Sequence, residues 1–226
     1  GGSSVLSKKL SAVALLVLAL FLTGCGGSVV TDLYVQDIIE VVEGAEESLF
    51  ALSTISVESP GEEYNGQLIE LLELNFRDAK NSRTLTEDYS TYVAVDVKVP
   101  ILILEEYEQL WENDEAIGII VVDMDDGSAA FGLGLNSDKL DELFAAFVEQ
   151  VWDSASIEDF TFTVRLLNDT RDPVFVALQG VYVNQVPIAY EEVFELARRD
   201  VLEIRLGDVA RDVAYQDGIV VLGVVE

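Results

Sequence analysis

Two hydrophobic periods alternate along the chain. Leu49, Ala51, Ile55 and Val57 recur at every second position with Ser53 in phase, which predicts a strand. Val93, Val95, Val97 and Val99 alternate with Ala94, Asp96 and Lys98 and predict a half-buried strand ending near Pro100. Ile117 to Val122 and Ala129 to Leu135 flank Asp123-Met124-Asp125-Asp126-Gly127, the pattern of a hairpin. A helical period appears at Ile38, Ile39 and Val42, stopped by Gly44, and again at Tyr64, Leu68, Leu71, Leu72 and Ala79 behind the capping sequence Ser59-Pro60-Gly61-Glu62. The longest stripe is Leu140, Leu143, Phe144, Phe147, Val148, Val151 and Trp152. That spacing predicts a core-facing helix capped by Ser137.

Beyond a polar stretch at 153–159 the pattern is mostly that of strands. Phe160, Phe162, Val164 and Leu166 alternate with polar residues, and Val174, Val176 and Leu178 resume the alternation after a turn at Asn168 to Pro173. Val181 and Val183 lead into a turn at Asn184-Gln185, and further strands are expected at Val193 to Ala197, Leu202 to Leu206 and Ile219 to Val225. A short helix capped by Asp208 carries Val209 and Val213. The expected fold class is α+β. An N-terminal mixed α/β layer, with an antiparallel sheet and packed helices, precedes a β-rich C-terminal part with one short helix. The expected division is a leader over 1–24, a tether over 25–31, an α+β domain over 32–153 and a β-rich domain or subdomain over 160–226.

The first residues follow a different logic. Lys8 and Lys9 precede thirteen residues, Leu10 to Leu22, in which only Ser11 is polar. Thirteen helical residues reach about 20 Å, short of the ~30 Å hydrocarbon layer, so the segment fits a signal-peptide apolar region. Leu22, Thr23, Gly24 and Cys25 follow it directly. With these residues the N-terminus resembles a bacterial lipoprotein signal peptide, and LTGC resembles the lipobox. The resemblance implies diacylglyceryl transfer to the Cys25 thiol, cleavage between Gly24 and Cys25, and anchoring of the body to membrane lipid in the bacterial cell envelope. Gly26, standing where an Asp favours retention in the inner membrane, favours the outer membrane if the cell is Gram-negative. The segments TDLYVQDI (31–38), VYVNQVPI (181–188) and RRDVLEIRLGDV (198–209) resemble an uncharacterised family of bacterial and phage-associated lipoproteins. That resemblance is compatible with a prophage origin and implies no activity.

Composition narrows the chemistry. The 226 residues carry 13 Lys+Arg against 42 Asp+Glu, a formal charge of -29, and no His. Absence of His excludes Ser-His-Asp and Cys-His catalysis and any imidazole-bound metal. A single Cys excludes intrachain disulfides and Cys-rich metal sites. Charge of this sign repels phosphates, so nucleic acid is not an expected partner. It suits a basic partner or a high-salt environment.

Four constellations invite a role. Residues 105–115, EEYEQLWENDE, place Tyr107, Leu110 and Trp111 on one helical face. They predict either an acidic flap with aromatic anchors, making Tyr107 and Trp111 partner-binding candidates, or a connector whose Trp folds onto the body. Asp123, Asp125, Asp126 and Gly127 invite calcium, but their spacing departs from the EF-hand loop and a turn accounts for them. Arg198, Arg199, Arg205 and Arg211 are the only basic concentration, best explained by pairing with nearby acids. Gly132-Leu133-Gly134 lacks the continuation of a phosphate loop. No metal site, cofactor or catalytic residue is expected. The expected function is a noncatalytic binding module that meets an unidentified envelope protein. The alternative is a carboxylate-dependent hydrolase of peptidoglycan or other envelope glycan.

Overall fold

The computed structural model describes residues 26–44, 48–87, 89–124 and 126–226. Leu22, Thr23, Gly24 and Cys25 lie outside the described residues, as does Asp125. Strands hold 47% of the described residues and helices 29%. The α+β expectation is therefore corrected: the protein is mostly β, built on one thirteen-stranded, barrel-like sheet.

The sheet runs in spatial order β10 (Val186–Ile188), β9 (Val181–Val183), β12 (Val201–Leu206), β7 (Phe160–Leu167), β1 (Gly27–Tyr34), β2 (Leu49–Ser59) and β4 (Ser90–Ile103). It continues through β5 (Ile117–Asp123), β6 (Ala129–Leu135), β13 (Ile219–Val225), β8 (Val174–Leu178) and β11 (Glu192–Leu196). β3 (Lys80–Glu87) pairs with β4 off this path. β1/β7 and β4/β5 are parallel, and every other neighbouring pair is antiparallel. The expected mixed layer and its β-rich successor are thus interleaved. β7 lies beside β1 with Gly27 opposite Phe160, and β13 lies beside β6. Residues 28–31, expected as tether, are the middle of β1.

β4 joins the two halves. Its fourteen residues pair with β2 along one edge, while the other edge serves β3 from Ser90 to Asp96 and β5 from Ile101 to Ile103. Alternation places Val93, Val95, Val97, Val99 and Ile101 toward one core. That core also takes Val29 and Leu33 of β1, Ile55 and Val57 of β2, and Phe162 and Val164 of β7. Thr31 and Ser53 are opposite one another in register and fully buried, and their hydroxyls satisfy each other at 2.6 Å.

Helices pack against the sheet. α1 (Val35–Val42) buries Val35 and Ile38 and packs on β1, β4, β5 and β6. α2 (Asn65–Asn75) buries Leu68, Leu71 and Leu72, and it ends before Ala79. α4 (Ser137–Gln150) follows the short α3 (Gln109–Glu112) and buries Leu140, Leu143, Phe144 and Phe147. Its cap is Asn136, whose side chain accepts from the Lys139 N–H, one residue earlier than expected. α5 (Asp208–Asp217) starts after Gly207 with no side-chain cap. No helix among the described residues is long and apolar enough to cross a membrane.

On the outer surface, Asp96 ties β2, β3 and β4 together. Its carboxylate accepts from Thr54 Oγ1 at 2.9 Å, Asn81 Nδ2 at 3.0 Å and Arg83 Nη1 at 3.0 Å. Burial alone would push the Asp96 carboxyl up. The bonds from Asn81, Thr54 and Arg83 together outweigh it and hold the group below the usual carboxylate range. A carboxyl lowered by folding stabilises the folded state above its unfolded pKa, and that contribution is lost as pH falls through the folded value. Asp96→Asn should therefore lower stability at neutral pH while flattening the acid limb of a stability-versus-pH curve below about pH 4. Equal acid limbs in urea titrations of the two proteins would refute this.

Candidate functional site

The segment after β4 supplies the best-defined site. A 3₁₀ turn at Leu104–Glu106 and then α3 lay the chain across the outer face of β5 and β6. Ile120 points to that face because its neighbours Ile119 and Val121 point to the core. Leu102, Leu110 and Ile120 form a small second cluster there, with Leu104, Tyr107, Trp111 and Ile219 packed around it.

Two glycines make room for the anchor of this segment. Gly118 of β5 and Gly134 of β6 are opposite one another in register. A Cβ on Gly118 would stand 2.6 Å from Leu110 Cδ2, and one on Gly134 would stand 2.7 Å from Leu110 Cδ1. The pair leaves a dent into which the fully buried Leu110 fits. Asn136 Nδ2 reaches the Leu110 carbonyl at 3.4 Å, and Lys139 Nζ pairs with Asp114 at 2.6 Å. Arg77 Nε and Nη2 approach Glu115 Oε1 at 2.6 and 2.5 Å, which fixes the far end.

Gly118→Val should expel Leu110 and cost about 1–3 kcal/mol as overpacking. Because the main core lies on the other face, it should disturb Trp111 more than Trp152. Fluorescence with Trp111→Phe and Trp152→Phe backgrounds separates the two, and a larger change at Trp152 would contradict the account.

With Leu110 seated, Tyr107 and Trp111 stand edge-to-face, ring centroids 5.9 Å apart at 85°. Both rings are half-buried. They border a hollow of about 440 Å³ with Glu108, Glu112, Ser137, Gln216, Asp217 and Gly218. Gly218 closes α5 in the left-handed region at φ 83°, and a Cβ there would lie 2.9 Å from Trp111 Cη2. The last turn of α5, where the helix dipole is negative, carries no basic side chain. Three carboxylates, two aromatic rings and no Lys or Arg line this hollow. Chemically it suits a cation: the ring faces and edges take the alkyl part or the charge, and the carboxylates take the N–H donors.

On the opposite side of the same segment lies a second hollow of about 550 Å³, bordered by Phe50, Arg77, Glu106, Gln109, Asn113 and Glu115 among others. Arg77 sits over the Phe50 ring at 5.3 Å as well as on Glu115. Glu106 and Glu115 are thus two carboxylates on one cavity, but Glu115 is already committed to Arg77.

The other sequence constellations take structural work. Asp126 Oδ1 accepts from both the Ser128 N–H at 3.0 Å and its hydroxyl at 2.6 Å, and these bonds lower the Asp126 carboxyl. With Gly127 at φ 87°, this is a turn held by its own side chain. Of the four arginines only Arg211 pairs with acids, Asp208 and Asp212, and it also donates to the Glu158 carbonyl. Arg205 stacks on Tyr182 at 4.0 Å, and Arg198 and Arg199 lie in the turn before β12 with no ion pair among the described residues. A Cβ on Gly132 would strike the Val220 carbonyl oxygen, which accounts for a glycine there without any phosphate. Sequence reasoning missed Gly118 and Gly134. The available signal was a glycine inside each strand of a predicted hairpin, facing each other across it.

A family model described as Domain of unknown function (DUF7424) matches residues 27–226. No curated protein and no solved structure matches the chain.

Proposed function

We propose, from the premise that the chain belongs to the DUF7424 family of domains of unknown function, that it is a noncatalytic binding module of the bacterial envelope. In this proposal Cys25 carries the lipid anchor, and the hollow at Tyr107 and Trp111 receives a basic group of an envelope protein. The observation that carries the binding role is the lining of that hollow: an aromatic pair and the carboxylates of Glu108, Glu112 and Asp217, without a positive side chain among them. Aromatic residues held by a packed support lose little freedom on binding, which is why they dominate interface energetics. The formal charge of -29 adds long-range attraction for a basic partner.

The test uses an Arg/Lys-containing peptide as probe. Trp111→Ala should weaken its binding at least roughly tenfold, the scale of a hot-spot aromatic. Added salt should weaken binding to the unsubstituted protein. Neutralising the distant pair Glu62 and Glu63 should leave affinity within about twofold, as for surface charges away from an interface. Equal losses from both substitutions would reduce the binding to nonspecific charge attraction and sink the proposed site.

A further inference from the structure

A third concavity runs along α4 and α5, the same two helices that carry Ser137 and Gln216 of the Tyr107–Trp111 hollow. It is a groove of about 560 Å³ between α4, the loop at 155–158 and α5. Phe144, Val148, Ala155, Ile157 and Tyr215 give it an apolar floor and walls. Val148 is 43% exposed although it belongs to the apolar stripe of α4. Tyr215 crosses from α5 and donates its hydroxyl to Asp141. Burial and the Asp141 carboxylate push that phenol up to about 12.

The position of the groove gives it meaning. β1 and β7 run parallel with Gly27 opposite Phe160, so the residues ahead of Gly27 enter the fold alongside the residues ahead of Phe160. Those are the 3₁₀ turn Ile157–Asp159, the wall of the groove. A Cβ on Gly26 would stand 3.3 Å from the Asp159 carbonyl oxygen. The Gly26 N–H reaches Glu58 Oε2 at 3.4 Å, so the chain is pinned one residue after Cys25. A trans peptide step covers only about 3.8 Å between Cα atoms. Gly26, the first described residue, thus stands beside this turn, and Cys25 precedes it by one such step. The Phe160 ring lies over Gly27, and the Phe144 ring, which lines the groove, packs on Phe160 with centroids 5.4 Å apart.

We propose that this groove houses one of the acyl chains attached at Cys25, covering it when the lipoprotein is outside a bilayer. The inference rests on the acylation of Cys25 argued above and adds a protein site for the lipid. A hydrocarbon chain fits a groove lined mainly by aromatic and aliphatic side chains, with Asp141, Glu149 and Glu158 beside them. Covering the chain also removes its apolar surface from water during passage between membranes.

The experiment feeds cells a fatty acid carrying a terminal diazirine, purifies the full lipoprotein in detergent-free soluble form, irradiates it and maps adducts by mass spectrometry. Adducts on Phe144, Val148 or Ile157 are the expected result. Val148→Asp should lower their yield roughly tenfold with the degree of acylation unchanged, as expected for loss of one buried aliphatic contact. Adducts confined to residues outside the groove in fully acylated protein would overturn the lipid site alone. Groove adducts that persist in Cys25→Ser protein would show that the chain comes from free lipid, which also overturns it. An intact mass with an unmodified Cys25 in the unsubstituted protein would instead overturn the acylation itself.

Discussion

Phe147→Ala should lower the unfolding free energy by about 3–5 kcal/mol, the usual cost of deleting a fully buried aromatic ring. Phe147 has no exposed surface, and its ring stacks on Trp152 with centroids 4.5 Å apart at 28°. Trp152 lies against Phe160 at 6.2 Å and donates Nε1–H to the Glu58 carbonyl at 3.1 Å. One ring therefore supports contacts from α4 to β7 and β2. The Phe147 carbonyl also accepts both the Val151 and Trp152 N–H groups at 2.8 Å, so the end of the helix is built on this residue. Relaxation around the deletion is restricted because Trp152 is held by its own hydrogen bond. Urea unfolding followed by far-UV circular dichroism measures the change. Phe175→Ala, at a position 46% exposed, should stay within about 1 kcal/mol. Equal losses at the two sites would mean that the aromatic cluster is not where the fold is held.

The second large effect is all-or-none. Cys25→Ser should abolish incorporation of labelled palmitate and leave residues 1–24 attached, because the hydroxyl does not replace the thiol as lipid acceptor. Export of residues 26–226 behind an ordinary cleavable leader should move the body into the soluble fraction. Stable anchoring takes more than one acyl chain, and a body exported without Cys25 lacks the residue that the proposal assigns to carry them. Mass spectrometry of the N-terminal peptide and fractionation of the exported body are the measurements. Retained palmitate in the Ser variant, or a body that stays with the membrane, would remove Cys25 as the anchor.

Legibility in the sequence followed the range of the interactions. The stripe from Leu140 to Trp152 is local, and α4 appears where its period places it. The alternation around Ile55 and Val95 likewise marks β2 and β4. Fold class was less accessible because it depends on which strands meet. Nothing local in Gly27–Tyr34 announces that its parallel neighbour is Phe160–Leu167, and without that neighbour the segment looks like a tether. The same separation made the β-rich C-terminal part look like a successor to the first half when its strands flank both ends of the N-terminal ones. At the site, the spacing of Tyr107, Leu110 and Trp111 was visible, whereas the dent under Leu110 required the register of Gly118 against Gly134.

The interior position of β1 has a temporal consequence. Its hydrogen-bonding edges are completed by β2 soon after synthesis but by β7 only once residue 167 is present. A polypeptide emerging N-terminus first must hold a sticky, half-satisfied ribbon for that whole interval. A partner strand this far along the chain makes for slow acquisition of the native state.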